Sequence, residues 1–370
     1  MVKLFDEIEI NAMRLRNRIF RSATWEGMCD SDDLPTAKLI DCYLDLTRGG
    51  VGLIITGYAY VSREGRQLPG QMGFDSDAGA VEYKGLTEAV HEAGGAIAVQ
   101  LVHAGGQTTA SEAGSSPLAP SSVDVPQFPE IPEELSTGEI RRIVKAFGEA
   151  AGRARDWGFD GLQLHGAHGY LINQFLSPHT NERRDKYGGD IKNRMRFLIE
   201  IYEEVRRVVG PSYPVMIKLT GSDNMEGGFT EEDAIYAART LSELGIDAIE
   251  VSSGLISSGE LNPAREHINS PNKEGYNVTL AGRIKAEVTC PVGAVGGFRS
   301  FEVVSSALGG GFVDFITMSR PLIWEPDLPA RWLRGDLEPA RCISCNGCFL
   351  PGLKEGGIYC VVKKRWERGL

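Results

Sequence analysis

The sequence has no run approaching the ~18 consecutive apolar residues that a membrane-spanning helix needs, so no transmembrane segment is expected. Near the start, Met1-Val2-Lys3-Leu4-Phe5-Asp6-Glu7 has no basic stretch leading into an apolar one and does not read as a signal peptide. Positive charge is in deficit: 39 Lys and Arg stand against 50 Asp and Glu, for a net charge of −11. That argues against nucleic acid and anionic membrane as main partners; a small-molecule substrate is expected. Histidine is scarce, with six in the chain, and cysteine hardly less so, with seven. A G-x-G-x-x-G dinucleotide loop is missing after the first apolar run, which counts against an open doubly wound sheet. The expected setting is the cytoplasm, and a homo-oligomer is expected.

What is present is a long chain with enough apolar content for a large core: 370 residues, 42% hydrophobic. Short apolar runs of strand character fall at residues 18–23, 51–56, 96–101, 162–164, 214–219, 247–251, 291–295 and 313–318. Helical spacing separates most of them. Residues 136–156 form a strong amphipathic segment opened by Ser136-Thr137-Gly138-Glu139, where Ser136 and Glu139 match the capping box. Thr230-Glu231-Glu232-Asp233 opens another helix, with Thr230 as N-cap and acids in its first turn. Residues 111–135, rich in Ser, Pro and Glu, read as a long surface excursion. Eight βα units in about 320 residues predict a (β/α)8 TIM barrel over residues 1–335, followed by a short cysteine-rich extension over 336–370.

In such a barrel the strand ends converge on one rim, where the active site lies. The fourth run opens into His165-Gly166-Ala167-His168-Gly169-Tyr170, two imidazoles and a phenol able to donate hydrogen bonds to an oxygen and to pass a proton. Against this stands the plainer reading that the histidines cap a helix and Tyr170 is core. The first run ends in Ser22-Ala23-Thr24-Trp25, the third carries Gln100, and the fifth carries Lys218. Gly296 and Gly297 end the seventh and Ser319 and Arg320 the eighth, the usual phosphate position of this fold. Glycine backbone N–H groups and an arginine fork suit a phosphate. The alternatives are glycines that merely serve tight turns, and a Lys218 held in the core by an ion pair.

His165-Gly166-Ala167-His168-Gly169-Tyr170-Leu171, Phe175-Leu176-Ser177-Pro178, Asn181, Arg183, Tyr187-Gly188-Gly189 and Asn193-Arg194 resemble the signature of the Old Yellow Enzyme family. Val51 to Thr56, Gln100 to Gly105 and Ser319-Arg320-Pro321 fit in the same order, so the likeness runs from about residue 3 to 335. The resemblance implies an FMN-dependent NAD(P)H:flavin oxidoreductase or ene-reductase. It implies FMN contacts at Ala23, Thr24, Tyr58, Gln100 and Lys218, and a phosphate held by Gly296, Gly297, Ser319 and Arg320. His165 and His168 would grip the oxygen of an activating carbonyl, flavin N5 would deliver hydride to the alkene, and Tyr170 would protonate the neighbouring carbon. Trp25 would line the substrate side. Two positions depart from the family pattern: Lys218 stands where arginine is usual, and Trp25 where Cys, Thr or His is common.

Cys342, Cys345, Cys348 and Cys360 crowd the last thirty residues. In a cytosolic chain such clustering points to metal before disulfides. The spacing suits four-coordinate iron–sulfur or zinc, and vestigial free thiols are the remaining reading. It resembles the [4Fe-4S] segment of the family's longer branch, which includes trimethylamine dehydrogenase and 2,4-dienoyl-CoA reductase. Those relatives continue into a nucleotide-binding region, whereas this sequence stops at Leu370. Electrons are therefore expected from a separate electron-transfer protein or directly from NADH or NADPH. The alternative activity, by the same resemblance, is oxidation of an amine or other C–H bond toward an external acceptor.

Overall fold

The computed structural model describes residues 3–369. The N-terminal stretch read for a leader begins on two residues, 1 and 2, outside that range, as does residue 370. Eight parallel strands close on themselves: β1 (Ile19–Arg21), β2 (Leu53–Tyr60), β3 (Ile97–Val102), β4 (Gly161–Gly166), β5 (Val215–Thr220), β6 (Ala248–Ser252), β7 (Val292–Val295) and β8 (Phe315–Met318). Each pairs with its sequence neighbours, and β8 pairs with β1, which in turn pairs with β2. This is the expected TIM barrel. Its principal outer helices are α1 (Ala37–Arg48), α2 (Ala80–Glu92), α3 (Thr137–Asp156), α4 (Arg196–Val209), α5 (Glu231–Leu244), α6 (Val278–Lys285), α7 (Phe301–Gly309) and α8 (Leu328–Leu333).

Local chemistry starts the helices where the sequence indicates. Ser136 and Glu139 form the full capping box on α3, and the Thr230 side chain accepts from the Asp233 backbone N–H on α5. The strand period of two then sorts the barrel interior into layers. Phe20, Leu53, Ala98, Met216, Ala248 and Phe315 pack in one apolar layer, with Phe20 and Phe315 stacked at 4.5 Å. Two residues further along five of these strands the inward positions are polar, Ser22, Gln100, Lys218, Glu250 and Thr317, all buried, whereas β2 keeps the apolar Ile55. Apolar filling thus supports a polar floor below the C-terminal rim.

Three features differ from expectation. An antiparallel hairpin, Ile8–Ile10 with Met13–Leu15, joins the inner apolar layer and plugs the barrel's other end. Strand β2 continues to Tyr60 instead of ending at Thr56, because a bulge between Ile55 and Tyr58 carries it past Gly57. A Cβ at Gly57 would lie 2.1 Å from a Glu26 carboxylate oxygen, so glycine permits the bulge rather than ending the strand. Residues 111–135 are also less loose than expected. Leu118–Ala119 pairs with Glu133–Glu134, Ala119, Val125 and Phe128 form a small apolar cluster, and the Arg183 guanidinium binds the carbonyls of Pro120 and Leu135 at 2.9 and 2.6 Å.

Candidate active site

A cavity of about 530 Å³ opens on the C-terminal rim, lined by residues on or following each of the eight strands. Ala23, Thr24, Trp25, Tyr58, Gln100, His165, His168, Tyr170, Lys218, Gly297, Ser319 and Arg320 all do so, which brings together nearly every residue expected there. Gly296 does not line it: its carbonyl accepts the backbone N–H groups of Gly275 and Tyr276, so it holds a loop behind the wall. Arg265 lies with its guanidinium 4.0 Å over the Tyr276 ring, whereas His267 is solvent-exposed.

Gly166 ends β4, and the chain then turns sharply, with His168 and Gly169 at φ 62° and 81°. The turn brings three rings together: His165 lies 5.2 Å from His168 and 4.5 Å from Tyr170, centroid to centroid. His168 Nε2 shares a hydrogen bond with Ser252 Oγ at 2.7 Å. The His165 Nδ1 atom is buried and has no partner among the described residues, an arrangement that asks for a ligand. Burial, then the neighbouring His168 and Lys218, holds His165 far below the usual imidazole range. Burial and Lys218 lower His168 to about 3. Both rings are therefore neutral at physiological pH.

This has a consequence for acid stability. The unfolded chain takes up protons on its histidines near 6.5, while the native His168 resists protonation down to about 3. Within that window the unfolded state binds more protons, so stability falls as pH falls. The melting temperature is expected to drop between pH 6.5 and 4, and to drop less in a His165→Asn/His168→Asn variant. Parallel losses in both proteins would mean that the native rings are not held neutral.

Tyr170 is at once buried and part of the cavity lining. Its hydroxyl donates to Gln67 Oε1 at 2.7 Å, and the Tyr58 hydroxyl donates to the same oxygen at 2.9 Å. Burial pushes the phenol up to about 12, so it stays protonated. Gln67 was not evident from the sequence, because it sits in an unpatterned loop between β2 and α2.

The polar floor is one hydrogen-bonded network. Lys218 donates to Ser22 Oγ at 2.8 Å and lies 3.3 Å from Glu250 Oε1. Glu250 also accepts from Ser22, Thr317 and Gln163, and Gln100 Nε2 donates to Gln163 Oε1 at 2.7 Å. Lys218 therefore has the ion-pair partner of the plainer reading and also faces the cavity. Gln100 Oε1 is buried without a partner. At the opposite end, Thr24 Oγ1 and Ser319 Oγ lie 2.6 Å apart. Arg320 makes both of its protein hydrogen bonds through Nη1, leaving Nε and Nη2 for a ligand. An unpaired amide oxygen for a heterocycle edge, a nearby cation, and an arginine beside a left-handed glycine (Gly297, φ 68°) fit a flat heterocycle that carries a phosphate.

The cysteine-rich extension is not remote from this site. Ser344, Phe349 and Leu353 line the same cavity. Cys342, Cys345, Cys348 and Cys360 line a second, much smaller cavity together with Arg320 and Trp324. Cys342 Sγ accepts from the Ser344 N–H and Cys360 Sγ from the Lys363 N–H. Among the described residues no group of His, Cys, Asp or Glu is placed to hold a single metal ion. No helix there is long and apolar enough to cross a membrane.

Barrel, polar floor and rim cavity define a TIM barrel with a rim site shaped for a flat, phosphate-bearing ligand. Residues 3–336 match the family described as NADH:flavin oxidoreductase / NADH oxidase, and the chain belongs to it. It is 39% identical over 352 residues to an NADH oxidase from Thermoanaerobacter brockii, covering 94% of this chain and 53% of that protein. This chain thus spans about half the length of that relative. The solved complex of 2-naphthoyl-CoA reductase with 2-naphthoyl-CoA superposes with a TM-score of 0.90 at 28% identity, over 98% of this chain and 57% of that one. An Old Yellow Enzyme homologue from Zymomonas mobilis superposes with a TM-score of 0.79 at 30% identity, over 91% of this chain and 94% of that one. The chain is accordingly a barrel of the Old Yellow Enzyme family.

Proposed function

We propose that this protein reduces a carbon–carbon double bond activated by an adjacent carbonyl, in an enone or a dienoyl or enoyl thioester, at the expense of NADH or NADPH. The observation that carries the proposal is the His165 Nδ1 atom, buried and unpaired, with the neutral His168 and the protonated Tyr170 beside it. The chemistry that FMN supplies when bound is hydride exchange, from the nicotinamide and on to the alkene. The chain's own contribution is orientation and polarisation. His165 and His168 hydrogen-bond the substrate carbonyl oxygen, drawing electron density from the alkene. Ser252 fixes the His168 ring through Nε2. Tyr170 gives its hydroxyl proton to the carbon next to the carbonyl, and Gln67 aims that hydroxyl. Gln100, Lys218, Gly297, Ser319 and Arg320 are the residues that would hold FMN, with Ala23, Thr24 and Tyr58 along its edge.

The four cysteines line one small common cavity, and their spacing is that of a four-thiolate site. A [4Fe-4S] cluster is the reading this supports, and iron and acid-labile sulfide in anaerobically purified protein would establish it; absence of both would reject it. Amine oxidation has weaker support here. Trp25 lines the cavity, packed against Gly27 and Gly352 with its indole N–H on the Pro69 carbonyl at 3.2 Å, but the neutral His165 and His168 across the same cavity suit an oxygen rather than a cationic amine.

The decisive experiment is anaerobic and spectroscopic. Flavin absorbance is expected to bleach with NADH or NADPH and to return on addition of an enone or an enoyl-CoA thioester. Return with neither, together with bleaching by primary or tertiary amines, would reverse the assignment.

A further inference from the structure

Arg320 reaches the cavity from the start of the short helix Arg320–Trp324. Its Nη1 donates to two oxygens: the Arg265 carbonyl at 2.9 Å and the Asn346 side-chain oxygen at 2.6 Å. Asn346 belongs to the cysteine loop, between Cys345 and Cys348. Its amide nitrogen donates in turn to the Ala264 carbonyl at 2.7 Å and reaches Glu266 Oε1 at 3.3 Å. The His267 N–H donates to the Ser344 carbonyl at 3.3 Å, a second tie between the same two segments. Both Ser344 and Asn346 sit at φ 56°, a left-handed backbone that asparagine tolerates better than most residues.

We infer that Asn346 is a positioning residue for the phosphate end of the cofactor site: it holds the Arg320 guanidinium so that Nε and Nη2 face the cavity. The cysteine loop is thereby a working part of the FMN site. This inference rests on the reading that Arg320 meets the FMN phosphate. An arginine fork recognises a phosphate by geometry as well as by charge, so its orientation matters. Without Asn346, one of the two fixed acceptors is gone and the Arg265 carbonyl alone holds Nη1, so the fork is less firmly oriented. The loss is confined to ligands that carry the phosphate.

The test compares FMN with riboflavin, which has the same ring and no phosphate. Apoprotein of the full chain is titrated with each, reading flavin fluorescence. Asn346→Gly keeps the left-handed backbone while removing the amide, and is expected to weaken FMN binding about tenfold, the loss of one charge-assisted hydrogen bond, with riboflavin affinity unchanged. Arg320→Met is expected to remove the preference for FMN over riboflavin, and Asn346→Gly is expected to add nothing to it. If Arg320→Met leaves FMN affinity intact, the phosphate reading itself fails. If Arg320→Met weakens FMN binding and Asn346→Gly does not, or weakens both ligands equally, the positioning role is overturned.

Discussion

Tyr170→Phe is expected to slow reduction of an activated alkene by about 10²–10³-fold, the range of a lost general acid, while leaving flavin reduction by NADH or NADPH within about twofold of the parent enzyme. The substitution removes one oxygen and keeps the ring. The packing of that ring against His165 at 4.5 Å and Tyr58 at 5.4 Å therefore survives, and the fold is not at issue. What disappears is the proton that Gln67 holds in place at 2.7 Å. Only the half-reaction that ends in a new C–H bond needs that proton. Stopped-flow measurement of the two half-reactions separately is the direct check, and an equal slowing of both would show that Tyr170 is not the acid. Tyr58→Phe is the natural control, because Tyr58 donates to the same Gln67 oxygen and is given no proton to deliver. A far smaller effect there would assign the chemistry to one phenol of the two.

Tyr170 also shows how far the sequence carries the reading. The eight strands were legible because each is a short apolar run, and their convergence on one rim follows from the barrel alone. His165, His168 and Tyr170 were legible because they sit within six residues on one strand end. Gln67 was not, since its partners Tyr58 and Tyr170 lie 9 and 103 residues away and its own loop has no pattern. Glu250 was hidden differently. It stands inside an apolar run that reads as plain strand, and only the register of β5 on β6 sets it opposite Lys218. The same register sets Lys218 opposite His165 on β4, which brings a cation under the imidazoles. The extension was legible as a cysteine motif but not as a wall of the cavity, because contacts such as Arg320 with Asn346 depend on how residues 336–360 fold back over the rim. Spacing along the chain reports local elements; long-range pairing decides which polar groups share a site.

The largest stability effect is expected from separating Lys218 and Glu250. Breaking one partner out of a buried ion pair costs about 3–5 kcal/mol, and the two single substitutions should not be equal. In Lys218→Met the Glu250 carboxylate keeps three neutral donors, from Ser22, Thr317 and Gln163. In Glu250→Gln the buried ammonium keeps only neutral acceptors, the Ser22 hydroxyl and the new amide oxygen, with the Arg21 cation also disfavouring its charge. Burial already lowers Lys218 from 10.5, and Glu250 is what opposes that shift. Without Glu250 the native lysine binds its proton less tightly still, while the unfolded lysine is unchanged. The unfolded state then binds more protons over a wider range below pH 10.5, so stability rises with pH and the defect is largest at neutral pH. Urea unfolding of the apoprotein at pH 7 and pH 9 is expected to show Glu250→Gln as the weaker variant at both, with part of its loss recovered at the higher pH. The double variant Lys218→Met/Glu250→Gln is expected to be more stable than Glu250→Gln, because no unpaired charge is left. That variant also separates structure from function. If Lys218 serves only as a core ion pair, restored stability brings back a normal flavin. If it stabilises the negative charge of the reduced ring, the double variant folds and binds FMN but shows a lowered reduction potential. A parental potential in a well-folded double variant would leave Lys218 a structural residue that merely lies beside the cavity.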